Sequence, residues 1–154
     1  MKASLVTAVL ILAASMAVFT PTTTSAPPST TLASDEAAIR HIVDGWQRSP
    51  EHFKDVDWEN AFGTRKKGIV ELEQFLEERV RPTMATAERT VLAINVAFVT
   101  PDVATADKYW RVVGQTDGVG GPALPERNGR TTYVLHKQRG RWSVLVERIA
   151  DLRR

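Results

Sequence analysis

The chain has 154 residues, a formal net charge of +2, 43% hydrophobic residues and no cysteine. That length and apolar content suit one globular domain with a real core, and the small, scattered charge argues against nucleic acid as a partner. The missing cysteines exclude disulfides, thiol nucleophiles and thiolate-bound metals.

Residues 1–26 read as a signal peptide. Lys2 gives a positive start, Leu5 to Phe19 is an uncharged, largely apolar run of 15 residues, and small polar residues lead to Ala26. Cleavage after Ala26 would leave Pro27 first, which is unfavourable, so Ala17 is the alternative site. The run is shorter than the roughly 20 residues of a membrane-spanning helix; an uncleaved N-terminal anchor is the other reading and the only membrane contact expected. The expected localisation is secreted or cell envelope, as an exported bacterial protein. Residues 27–33, rich in Pro, Ser and Thr, read as a disordered lead-in, and residues 34–154 as the folded domain.

Ser34 is the expected N-cap of a first helix, with Asp35 and Glu36 in its first turn, where the helix dipole favours anions. Ile39, Ile42, Val43 and Trp46 recur at i, i+3, i+4 and i+7 and form one apolar face. Pro50 is expected to end the helix.

The stretch from Asp55 to Leu76 organises the rest of the chain. Alternation puts Val56, Trp58 and Phe62 on one strand face and Asp57, Glu59 and Ala61 on the other. Gly63 reverses the chain, Thr64 to Lys67 return it, and Gly68 opens a helix striped with Ile69, Leu72, Phe75, Leu76 and Val80. This helix, expected over residues 69–81, stops at Arg81-Pro82. Four strands are then predicted: Thr90 to Val99, Val103 to Thr116, Arg130 to Gln138 and Arg141 to Ile149. Pro101-Asp102, a Gly/Pro-rich loop from Asp117 to Pro125, and Arg139-Gly140 separate them. Helix, hairpin, helix and four successive antiparallel strands predict an α+β fold, one sheet curled around its helices with a concave face.

These residues resemble the nuclear-transport-factor-2-like superfamily, in particular its SnoaL-like (SgcJ/EcaC-type) branch. The resemblance is carried by Asp57-Trp58-Glu59-Asn60-Ala61-Phe62-Gly63-Thr64-Arg65 with Gly68, by Pro101-Asp102-Val103-Ala104, Tyr109-Trp110 and Gly114-Gln115, and by Arg130-Thr131-Thr132-Tyr133-Val134-Leu135 with Gly140-Arg141-Trp142. It spans roughly residues 35–150. It implies a cone-shaped, strongly curved, mostly antiparallel sheet wrapped on N-terminal helices around a deep pocket, and a homodimer through the sheet. Two departures stand out. Only Ser49 to Asp55 remain where members carry a second helix, and Arg148-Ile149 stand where relatives often end with a His-Asn or Gln-Asn pair.

Enzymes of the superfamily place an acid or base in an apolar pocket, where desolvation moves its pKa towards neutrality. Asp57, flanked by Val56 and Trp58, is the candidate catalytic residue; the competing reading puts it on the outer face. Asp107 is a second mid-strand carboxylate, read as solvent-facing. Trp46, Trp58, Asn60, Trp110, Tyr133 and Glu147 are the candidate pocket residues. Alternation groups Glu147 with Ser143, Leu145 and Ile149 against Trp142, Val144 and Val146, without saying which set faces the pocket. A cross-strand pair of Glu147 with Arg130 or Arg111 is the simpler account.

The three histidines show no metal-ligand spacing, so no metal is expected. No cofactor is called for either. Gly63-Thr-Arg-Lys-Lys-Gly68 has Ile69 where a phosphate loop needs lysine, and Gly118-Val-Gly120-Gly121 has no helix after it. The expected function is binding of a small, mostly apolar molecule in the cone. An isomerase, cyclase or hydratase using Asp57 is the first alternative, and a dimerisation or protein-interaction module without a ligand the second.

Overall fold

The apolar stripe of the first helix decides which face of the sheet becomes the inside. The computed structural model describes residues 29–45 and 50–152, so the signal-peptide reading and Trp46 lie outside the described residues. Helix α1 spans Ser29–Asp44 and buries Ile39, Ile42 and Val43. It begins one turn before the expected Ser34 cap. Once a nucleus exists, each added N-terminal residue costs only propagation, so the helix extends back through the lead-in. Ser34 lies inside the helix, its hydroxyl donating to the Thr31 carbonyl at 2.9 Å. Asp35 is likewise not a first-turn anion but a tether. Lys137 Nζ sits 2.8 Å from both its oxygens and Trp142 Nε1 donates to Oδ1 at 3.1 Å. The helix ends before Gly45, not at Pro50, which instead opens a short 3-10 turn, Pro50–Phe53, that buries Phe53. That turn stands where relatives are expected to carry a second helix.

Strands β1 (Asp57–Glu59) and β2 (Arg65–Lys67) form the expected hairpin. Phe62 does not share the face of Trp58; it lies in the turn and is 75% exposed, because the ladder stops at Glu59. Asn60 Oδ1 closes that turn by accepting from the Phe62 and Thr64 amides at 3.0 and 2.9 Å. Helix α2 (Gly68–Phe75) continues directly from β2 without a linker. Gly68 has φ +75°, and a Cβ there would lie 3.2 Å from the Lys54 carbonyl oxygen. The helical path does not stop at Pro82. It widens to a π-type turn over Leu76–Val80 and tightens to a 3-10 turn over Arg81–Met84. Pro82 can neither donate to the Glu78 carbonyl nor lie close to it, so the preceding turn opens, and Pro82 starts the next one, where its missing N–H costs nothing.

Four long antiparallel strands complete the chain: β3 (Glu88–Thr100), β4 (Val103–Val113), β5 (Arg127–Gln138) and β6 (Arg141–Asp151). The sheet order is β2-β1-β6-β5-β4-β3, mixed because β1 runs parallel to β6. This is the expected α+β roll. Its core packs Ile39, Ile42 and Val43 of α1 with Val56 and Leu72 on the sheet's Ala104, Ala106, Leu135, Trp142 and Val144. The two alanines of β4 are small enough to let α1 come close to the sheet.

Alternation is broken where the register slips, between Val91 and Ala93 and between Phe98 and Thr100 on β3, and between Val144 and Val146 on β6. The bulges that bear on the cavity add one residue each, Leu92 and Leu145, and reverse which face later residues take.

Candidate functional site

Because of the β6 bulge, Trp142 and Val144 face inward on one side of it and Glu147 and Ile149 on the other. Glu147 is thus aligned with Tyr133 of β5 and with Trp58 of β1. Neither alternation set expected from the sequence survives intact, and the expected Glu147 pair with Arg130 or Arg111 does not form. Arg130 is on the outer face, 3.9 Å from Asp107. The β3 bulge does the same for Arg89, which is aligned with the inward Val112. Lys108 needs no bulge. It is in phase with Ala104, Ala106, Trp110 and Val112 along β4, and 3% exposed.

Trp58, Lys108, Tyr133 and Glu147 floor a cavity of about 460 Å³ between the sheet and α2, and the exposed Arg89 stands at its edge. Leu72, Leu76 and Val80 form its helical wall; Trp110, Val112 and Ile149 belong to its sheet wall. Of the pocket residues named from the sequence, Trp58, Asn60, Trp110, Tyr133 and Glu147 all line it. Asp57 does not. Its carboxylate is on the outer face, half exposed and 2.9 Å from the Arg148 guanidinium, because its neighbour Trp58 takes the inward position. Asp107 is also on the outer face, accepting from Thr132 Oγ1 at 2.5 Å.

Glu147 is 6% exposed, and its Oε2 is buried with no hydrogen-bond partner among the described residues. Burial pushes its pKa up, against the pull of the Lys108 and Arg89 charges and of hydrogen bonding by Tyr133 and Trp58. Lys108 is pushed down to about 8, first by burial and then by Arg89, with Glu147 and Asp44 opposing. Its Nζ donates to the Val43 carbonyl, an otherwise unpaired group in the last turn of α1, where a cation also suits the dipole. Burial, and then the Glu147 charge, push the Tyr133 phenol well above its ordinary range.

Trp110 is set by two neighbours. Its Nε1 donates to Thr131 Oγ1 at 3.0 Å, and it lies against Gly129, where an added Cβ would meet Cζ2 at 2.0 Å. Arg127 comes within 5.8 Å of the Trp110 ring and 5.3 Å of the Phe62 ring, and is held by Gln115 and Asp151 at 2.6 and 2.7 Å. Gln115 lies between the end of β4 and the Gly/Pro-rich loop. The stem of that loop is laced by Leu124 N to Gln115 O at 2.7 Å and docked by Thr116 N to Thr83 O at 2.9 Å.

Sequence reading passed over Lys108 and Arg89. Lys108 was detectable, standing two residues from Trp110 on the same face. Arg89 was not, since nothing in the local pattern announces the Leu92 bulge.

No family model and no curated protein sequence matches the chain. Solved structures do. A protein with a cystatin-like fold from Caulobacter vibrioides has 17% identity and a TM-score of 0.62 over 81% of this chain and 92% of its own. A hexachlorocyclohexane dehydrochlorinase, LinA-type3, from Novosphingobium barchaimii has 12% identity and a TM-score of 0.69, covering 80% and 90%. An NTF2-like protein with a cystatin-like fold from Novosphingobium aromaticivorans has 18% identity and a TM-score of 0.62, covering 80% and 85%. The chain has the cystatin-like, nuclear-transport-factor-2-like fold.

Proposed function

We propose that this is an exported protein that binds a small, mostly apolar molecule in the cavity between α2 and the sheet. The observation that carries the reading is the cavity itself. About 460 Å³ is the size of small-molecule sites, and aliphatic and aromatic walls with a few convergent polar groups are their usual lining. A dehydrochlorinase of hexachlorocyclohexane on the same fold supports a ligand of this class.

The test is calorimetric titration of the full chain with neutral aromatic probes from benzamide to 2-naphthamide. Binding is expected, and Leu76→Trp, which adds bulk to the cavity wall, should abolish it. Asp57→Asn should leave it unchanged. No binding by the wild-type chain, or undiminished binding by Leu76→Trp, would refute the reading.

Acid–base catalysis on the bound molecule is a second reading, favoured by the buried, unpartnered Glu147 oxygen on the cavity floor. Glu147, not Asp57, would be the base. A ligand with an acidic C–H should exchange it for deuterium in heavy water with the wild-type chain and not with Glu147→Gln. The sheet-mediated homodimer remains a proposal too; a sedimentation mass of one chain would remove it.

A further inference from the structure

We propose that the molecule taken by the cavity is a small apolar carboxylic acid, its carboxylate received between Arg89 and Lys108 while Trp58, Leu72, Leu76 and Ile149 enclose its body. This rests on the cavity being a ligand site and adds the class of ligand.

The first ground is the set of cations on its lining. Arg81 is held by Glu77 at 2.5 Å, and Arg127 by Asp151 and Gln115. Lys108 donates to the Val43 carbonyl. Among the described residues Arg89 alone of these four makes neither a hydrogen bond nor a salt bridge; its guanidinium lies 5.7 Å from the Trp110 ring centre. The Leu92 bulge turns it inward, and its planar fork of donors fits a carboxylate.

Lys108 supplies the second arm. An ammonium has three donors, and only one is spent on α1. Burial first, and then the Arg89 charge, hold its pKa down, so the two cations act on each other across the cavity. Glu147 and, at the rim, Asp44 are the opposing charges, and Tyr133 lies below with its ring 5.4 Å from Lys108 Nζ. Burial drives Glu147 towards its neutral form, which leaves the charges of Lys108 and Arg89 less compensated.

The third ground is the orphaned Glu147 Oε2. In the neutral acid it becomes a donor that an incoming carboxylate can satisfy. An amine could also satisfy this oxygen while Glu147 is ionised, but it would bring a third cation beside Lys108 and Arg89. Like charges gathered in a half-desolvated site repel one another more strongly than in water. The charge arrangement therefore selects an acid.

The experiment compares shape-matched pairs on the full chain: benzoate with benzamide, and 2-naphthoate with 2-naphthamide, by calorimetry. A charge-assisted contact predicts roughly tenfold or greater preference for the acid of a pair. In Arg89→Gln, a change at an exposed side chain that should leave folding intact, the preference should collapse while amide binding persists. Equal binding of acid and amide, tighter amide binding, or an acid preference that survives Arg89→Gln would each overturn the proposal and leave the cavity standing as a neutral ligand site. Failure of both members of every pair would overturn the ligand-site reading and this proposal together.

Discussion

Gly129→Ala tests whether the cavity floor is built as described. A Cβ on residue 129 would lie 2.0, 2.4 and 2.5 Å from Cζ2, Cη2 and Cε2 of Trp110. Ordinary carbon contacts are about 3.5–4.0 Å, so the ring must move by roughly 1.5 Å. An indole cannot bend away. It can only tilt, lifting Nε1 from Thr131 Oγ1 and pushing the ring into the cavity it lines. Overpacking costs about 1–3 kcal/mol and the lost buried hydrogen bond about 1 kcal/mol, so a destabilisation of roughly 2–4 kcal/mol is expected. In urea this moves the midpoint down by about 1–2 M at an unchanged slope. The same substitution in a Trp110→Leu background removes the clash and should cost little, which also cancels the generic strand effects of exchanging glycine for alanine. The tilted ring should further weaken binding of 2-naphthamide. A Gly129→Ala chain within about 0.5 kcal/mol of wild type, or an equal cost in both backgrounds, would refute the placement of Trp110.

The carboxyls of Glu147 and Asp35 give two pH predictions of opposite sign. The Glu147 pKa is raised in the folded state, so its contribution is most favourable below the unfolded value of about 4.5 and is lost as pH rises towards the folded one. Melting temperatures of Glu147→Gln and wild type should therefore diverge in favour of the glutamine variant between pH 4.5 and 7, below the range where Lys108 titrates; a pH-independent gap would contradict this. For Asp35, burial alone would raise the pKa, but the hydrogen bonds from Lys137 and Trp142 and the lysine charge together lower it. Its stabilisation is present above the ordinary carboxylate pKa and disappears as pH falls through the lowered one. Asp35→Asn should cost roughly 1–3 kcal/mol at pH 7, as for hydrogen bonds to a charged group, and progressively less towards pH 2. A cost that stays constant with pH would show that the tether of α1 to β5 and β6 is not ionic.

Much of the fold was legible because its cues are local. Ile39, Ile42 and Val43 mark the buried face of α1 by spacing alone, and Arg139 and Gly140, with φ 51° and 78°, form the two-residue turn that joins β5 to β6. Asn60, Trp58, Trp110 and Tyr133 were nameable as pocket residues because strand alternation and the hairpin place them. Element ends were less legible. The start of α1 at Ser29 and the passage of the chain through Pro82 depend on propagation and on a widened turn, which composition does not encode.

The sequence by itself determined the order of the elements, the inner face of α1 and the aromatic lining, since periods of 3.6 and 2.0 residues are properties of the chain alone. Only the tertiary structure decided the chemistry of the cavity. Asp57, the most plausible acid by its neighbours, faces outward to Arg148, whereas Glu147 and Arg89 face inward. Each of the latter two is turned by a single extra residue, Leu145 or Leu92, that the partner strand leaves unpaired. A one-residue slip reverses every side chain beyond it, and where the slip falls is settled by pairing across the sheet, not by the strand's own pattern.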